Sequence, residues 1–160
     1  MIDGYLFPLT VMAAVGSGVI GGVLYAFSVM VMRSLAQLPA QHGIAAMQAI
    51  NAAALRPAFL WVFTGTAALC AAVLVGSLLD WDDASPYVLV GGLLYLIGSF
   101  GLTVGYHVPR NEALDRVEPS SPDAASHWSR YVRDWTAWNH VRGAAAVAAA
   151  ALLTIALHVR

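Results

Sequence analysis

Four stretches of this chain carry almost no charge, and that absence constrains the fold more than any motif does. Residues 4–32, 57–79 and 84–106 contain no Asp, Glu, Lys or Arg, and residues 143–157 form a fourth such run. Trp138 extends the fourth run backward, and Arg142 interrupts it. A helix needs about 20 apolar residues, at about 1.5 Å each, to cross the hydrocarbon core of a bilayer. The pattern therefore predicts spans at about 5–32, 57–79, 85–107 and 138–158. The expected fold is an all-α integral membrane four-helix bundle, with residues 1–160 as a single membrane domain. A soluble helical core is the competing reading. Charged residues make up only 11% of the chain, against about 25% in soluble domains, so nothing remains to coat such a core. A cleaved signal peptide is not expected for the first stretch either. Asp3 precedes it, no basic segment does, and the run is far longer than the about 7–15 apolar residues of a signal sequence.

Small residues fit the membrane reading. Gly16, Gly18, Gly21 and Gly22 lie in the first stretch, and Gly91, Gly92, Gly98, Gly101 and Gly105 in the third. Gly18 to Gly22 and Gly101 to Gly105 are each a GxxxG. That spacing lets helix backbones approach closely and points to packing or to a homo-oligomer through glycine-rich faces. The lone Cys70 excludes an internal disulfide framework.

All eight basic residues are Arg. Arg33, Arg56, Arg110, Arg116, Arg130, Arg133 and Arg142 fall in or beside the first and third loops, and only Arg160 falls on the other side. The positive-inside rule places both loops in the cytoplasm and both termini outside. A bacterial inner membrane is the expected location. The arginines are too dispersed for a nucleic-acid surface, so the expected partners are the lipid bilayer and a small molecule.

Pro39 breaks the chain after the first span. Ile44, Met47 and Ile50 then recur near helical spacing, which predicts a short amphipathic helix at the membrane interface. Arg56-Pro57 opens the second span, where a proline costs no hydrogen bond. Pro109 is expected to end the third span. Ser121 is a candidate N-cap, with Pro122 next, for one long helix leading into the last span. On that helix Trp128, Tyr131, Trp135, Trp138 and Arg142 are spaced three, four, three and four apart, which predicts a shared face. Two readings of this stripe stay open: an aromatic belt at the headgroups, or one wall of a binding site. Arg142 either snorkels to the interface or faces a cavity or partner.

Two polar clusters bracket the same end of the bundle: His107 with Asn111, and Asn139 and His140 with Arg142. Antiparallel packing of the third and fourth spans would bring them together. A histidine can act as a general base near neutral pH. Asn and Arg can donate to an oxygen that gains negative charge. The Trp and Tyr rings can sandwich a flat molecule, with Asn51 and Arg56 closing the pocket. No phosphate loop, nucleotide fingerprint or haem attachment motif is present. His107 and His140 are the one pair that a bis-histidine haem would require, and haem or copper is not expected.

These residues resemble a known family. The resemblance runs through Ala26-Phe27-Ser28-Val29-Met30, Leu35, Leu38-Pro39 and Ala46-Met47-Gln48-Ala49-Ile50-Asn51. It continues in Arg56-Pro57, Phe63, Gly65, Thr66 and Val108-Pro109-Arg110-Asn111-Glu112-Ala113-Leu114. It closes on Trp128, Tyr131, Trp135-Thr136-Ala137-Trp138-Asn139-His140 and Arg142. Together they look like the small four-span proteins of the anthrone-oxygenase-like family. The family often has Asn where this chain has His107. The resemblance implies cofactor-independent oxidation of a flat phenolic, anthrone-like substrate, with molecular oxygen as co-substrate. It implies His140 as base, Asn139, Arg142 and Asn111 as polar partners, and Trp135, Trp138, Tyr131 and Trp128 as ring-binding residues. The alternative is a non-catalytic scaffold or lipid-interacting protein in which the WNHxR cluster is structural.

Overall fold

Apolar runs with no charge to expose fold here as long helices, and a computed structural model describes residues 3–159. Helix α1 covers residues 3–36, α2 Ala40–Ala54, α3 Pro57–Leu79, α4 Ser85–Asp115 and α5 Ala124–Val159. All except α2 are long and apolar enough to cross a membrane. No strand occurs among the described residues. Large apolar side chains point outward along the spans, including Trp61, Leu79 and Ile97, each more than 65% exposed. In water such a surface would be an aggregation site. In lipid it is the solvent face.

Helix α5 is the centre of the bundle, packing against α1, α2 and α4. Close approach depends on missing side chains. A Cβ on Gly21 would stand 2.8 Å from Val147 Cγ2, and one on Gly98 would stand 2.7 Å from Ala145 Cβ. Of the four GxxxG glycines only Gly18 faces another helix, at Ala150; Gly101 meets Leu96 O of its own helix, and Gly22 and Gly105 meet nothing.

Two helices depart from α geometry. A π-helical segment, Phe27–Val31, interrupts α1, and two more, Leu94–Gly101 and Thr103–His107, interrupt α4. These wide turns explain why Pro109 does not end the third span as expected. Val108 N–H reaches back to Thr103 O, and Pro109 falls in the first turn of the α-helical segment Val108–Asp115, where a missing N–H is tolerated. The helix therefore runs eight residues past the expected boundary of 107, to Asp115.

The end of the bundle that carries the long loops has its own core of Met32, Ile44, Met47, Leu114, Ala124, Trp128 and Trp135. Helix α2 was expected to lay its apolar face on the membrane. Instead Gly43, Ile44, Met47 and Asn51 are buried, with Gly43 under the Trp128 ring. Gln48 fixes this docking, because its Nε2 donates to Leu114 O and Val117 O at 3.0 Å each. Helix α5 starts at Ala124, three residues after the expected cap, and Ser121 O accepts the Ala124 N–H.

Candidate functional site

On α5, Trp128, Trp135, Asn139 and Arg142 are all buried, and Tyr131 is half-buried. Their spacing follows the helical period of about 3.6 residues. The expected stripe held Trp138 where Asn139 now sits. Either residue satisfies the period. The interior selects Asn139, whose amide finds partners there, and leaves Trp138 on the flank at 42% exposure. Trp138 packs on the Tyr106 ring at 4.9 Å between centroids, and the Arg110 guanidinium lies over the same Tyr106 ring, 3.3 Å from its centroid.

Asn139 organises the centre. Its Nδ2 donates to Leu24 O at 2.7 Å and to Ser28 Oγ at 2.6 Å. Its Oδ1 accepts Arg142 Nε at 2.8 Å. Arg142 Nη1 donates to Thr103 Oγ1 at 2.9 Å, and Thr103 in turn donates to Ser99 O. Ser28, Ser99 and Thr103 all belong to the π-helical segments. Wide turns free backbone and side-chain groups to meet partners from other helices, and such turns often sit at functional sites. The Arg142 guanidinium also lies 5.1 Å from the Trp135 ring centroid, a cation–π arrangement worth about 0.5–2 kcal/mol. The salt bridges among the described residues are Arg116–Glu112 and Arg133–Asp134. Arg142, 7% exposed, has none.

Toward the loops the same face continues into His107 and Asn111. Asn111 Oδ1 accepts Tyr131 Oη–H at 2.8 Å and Trp135 Nε1–H at 2.9 Å. His107 is fully buried and lies edge-on to Trp135 at 5.2 Å. Its Nδ1 faces Leu102 O and its Nε2 faces Trp135 O, each at 3.4 Å. A neutral imidazole donates to only one of these carbonyls. Asn51 joins at the edge, where its Nδ2 donates to Asp115 Oδ1 at 3.4 Å.

The structure thus gathers His107, Asn111, Tyr131, Trp135, Asn139 and Arg142, with Asn51 and Trp128 beside them. It does not gather His140 or Arg56. His140 is two residues from Arg142 and so about 200° around the helix. It is exposed, beside Ser28 and Met32 of α1. Arg56 is exposed at the N-cap of α3. His107 and His140 therefore face different helices. No group of three or more His, Cys, Asp or Glu that could hold a metal ion occurs among the described residues. Two open grooves flank the network, and neither is lined by Asn139 or Arg142. The sequence reading missed Ser28, Ser99 and Thr103 as partners. Their signal was a hydroxyl inside an apolar span, which tends to face the bundle interior.

The model of the anthrone oxygenase family matches residues 58–152. The chain belongs to the anthrone oxygenase family. No curated protein and no solved structure matches it. The match with the anthrone oxygenase family contains Thr103, His107, Asn111, Tyr131, Trp135, Asn139 and Arg142, and leaves Ser28 and Asn51 outside.

Proposed function

We propose that this chain is an integral membrane oxidoreductase that oxidises a flat phenolic, anthrone-like molecule with dioxygen, and that Arg142 holds the anionic oxygen of the substrate. One observation carries this reading: a buried arginine with no carboxylate partner, held by Asn139 and Thr103 against Trp135. A charge at membrane depth normally has a partner, and a substrate anion supplies one. The family's name supports an anthrone-like substrate class.

The chemistry balances on the substrate and dioxygen. An anthrone is a carbon acid, and loss of a proton gives an electron-rich anion spread onto its oxygen. The anion reduces dioxygen and forms a C–O bond at the carbon that lost the proton. The resulting hydroperoxide loses water and leaves a quinone. Each turnover consumes one dioxygen, placing one oxygen atom in the new carbonyl and one in water. This reading uses no resident cofactor. Arg142 would stabilise the anion, and Trp135, Trp138 and Tyr106 would offer flat surfaces. His107 would be the base on this face, once a ring nitrogen leaves the carbonyl it faces, since His140 lies on the opposite side of α5. The seven arginines in or beside the two long loops support a topology with those loops in the cytoplasm and both termini outside.

The test is oxygen uptake by purified protein in lipid nanodiscs with a hydroxylated anthrone, measured against the spontaneous rate. Uptake above that rate, with one quinone formed per dioxygen, is expected. Arg142→Gln should lower the rate by about 10²–10³-fold, as loss of an oxyanion donor does. His107→Gln should lower it by about 10²-fold, whereas His140→Ala should stay within about twofold of the wild type. An unchanged rate in Arg142→Gln would remove Arg142 from the chemistry. A second reading is a scaffold in which Asn139 and Arg142 only pin helices together. It is favoured by the absence of both residues from the walls of the two flanking grooves. It predicts that Arg142→Gln lowers thermal stability while no protein accelerates oxygen uptake.

A further inference from the structure

His140 lines a feature that the proposed oxidation does not use. A groove of about 320 Å³ runs between the loop end of α1 and the middle of α5. Its α1 wall is Ser28, Met32, Arg33 and Ala36, and its α5 wall is Val132, Arg133, Thr136, Ala137 and His140. No acidic residue lines it. Arg33 forms no salt bridge among the described residues, and Arg133 shares only its Nε with Asp134. The Thr136 hydroxyl is buried and has no hydrogen-bond partner. Such an orphaned hydroxyl is costly unless something supplies its bond.

The depth is informative. Arg33 is five residues beyond Ser28 on α1, and Arg133 is seven before His140 on α5. At about 1.5 Å per residue, the cations lie about 8–10 Å nearer the loop end than Ser28 and His140. The groove therefore has a cationic mouth and an inner part of hydroxyls, an imidazole and the apolar Met32 and Ala137. That order matches a phospholipid entering from the bilayer, with its phosphate at the mouth and its ester oxygens deeper. Basic clefts between spans on the cytoplasmic side take anionic headgroups in this way.

We propose that this groove binds the phosphate headgroup of an anionic phospholipid, with Arg33 and Arg133 on the phosphate and Thr136 on a deeper oxygen. The site does not depend on the oxidation chemistry. Its inner end is Ser28, whose Oγ accepts the Asn139 amide, so an occupant would touch the network from behind.

Native mass spectrometry of the full chain, released from detergent with added lipid, tests this. Phosphatidylglycerol should remain bound, and phosphatidylcholine should bind at least tenfold more weakly. Arg33→Gln combined with Arg133→Gln should weaken phosphatidylglycerol binding at least tenfold. Arg110→Gln combined with Arg130→Gln, the same charge change in the other groove, should leave it within twofold. Thr136→Val should weaken it several-fold, with thermal unfolding confirming that each variant is folded. Equal binding of the two lipids, or equal losses in the two double variants, would reduce the effect to general charge attraction and overturn the site. Displacement of the lipid by millimolar inorganic phosphate would also overturn it, by showing a free-anion site.

Discussion

Asn139 donates from one nitrogen to a backbone carbonyl and a serine of α1, and accepts Arg142 at its oxygen. In a buried interior each bond lost leaves an orphan, so the residue should be worth more than its size suggests. Asn139→Leu keeps the branched shape with a bulkier side chain and takes the amide away from Leu24 O, Ser28 Oγ and Arg142 Nε. It should destabilise the protein by about 3 kcal/mol, read as a lower midpoint of thermal unfolding in detergent. Thr103→Val removes the acceptor of Arg142 Nη1 together with the hydroxyl's own bond to Ser99 O, and should cost about 1.5–3 kcal/mol, the range for a bond to a charged group. A midpoint equal to wild type in Thr103→Val would show that Arg142 finds another acceptor. Trp138 and His140 teach the complementary lesson. Both belong to the WNHxR cluster, yet both are exposed, because the residue between them already occupies the interior.

At the scale of elements, the spans pack through glycines that hydropathy cannot rank. Gly21 faces the Val147 backbone nitrogen, to which an added Cβ would come within 3.2 Å, whereas Gly22 meets open space. Gly21→Leu should therefore separate α1 from α5 and destabilise the bundle by about 3 kcal/mol or more. Gly22→Leu should stay within about 0.5 kcal/mol. A comparison of the two by thermal unfolding and size-exclusion light scattering checks this. A change of oligomeric state in Gly22→Leu alone would mean that the open glycine face is covered by a second copy. The π-helical segments operate at the same scale. They carry Ser28, Ser99, Thr103 and His107 to the polar network and let α4 continue through Pro109. Nothing in composition marks them, since a wide turn is chosen by the partners that its freed groups meet.

For the whole molecule, an even number of spans puts both termini on one side. Cys70 is fully buried, so Cys70→Ser gives a background for single reporters. Ser34→Cys and Ser120→Cys should react with a membrane-impermeant maleimide only from the cytoplasmic side, and Asp83→Cys only from the opposite side. Labelling of Ser34→Cys from outside would reverse the topology and with it the positive-inside reading. The second core, where α2 closes over Trp128, separates the loop end of the bundle from the membrane part. It makes that end a packed cap instead of a helix floating at the headgroups.

The sequence alone determined the number of spans, their helical character, the asymmetry of charge and the family. Each of these rests on a property summed along the chain, and a bilayer enforces such sums strictly because unpaired backbone and charge are costly there. The tertiary structure decided which side of α5 faces inward. Trp138 and Asn139 fit the same helical period, and His140 is as polar as its neighbours. Only the register of α1 and α4 against α5 supplies the carbonyl, serine and threonine that draw Asn139 and Arg142 inside and leave His140 at a different groove.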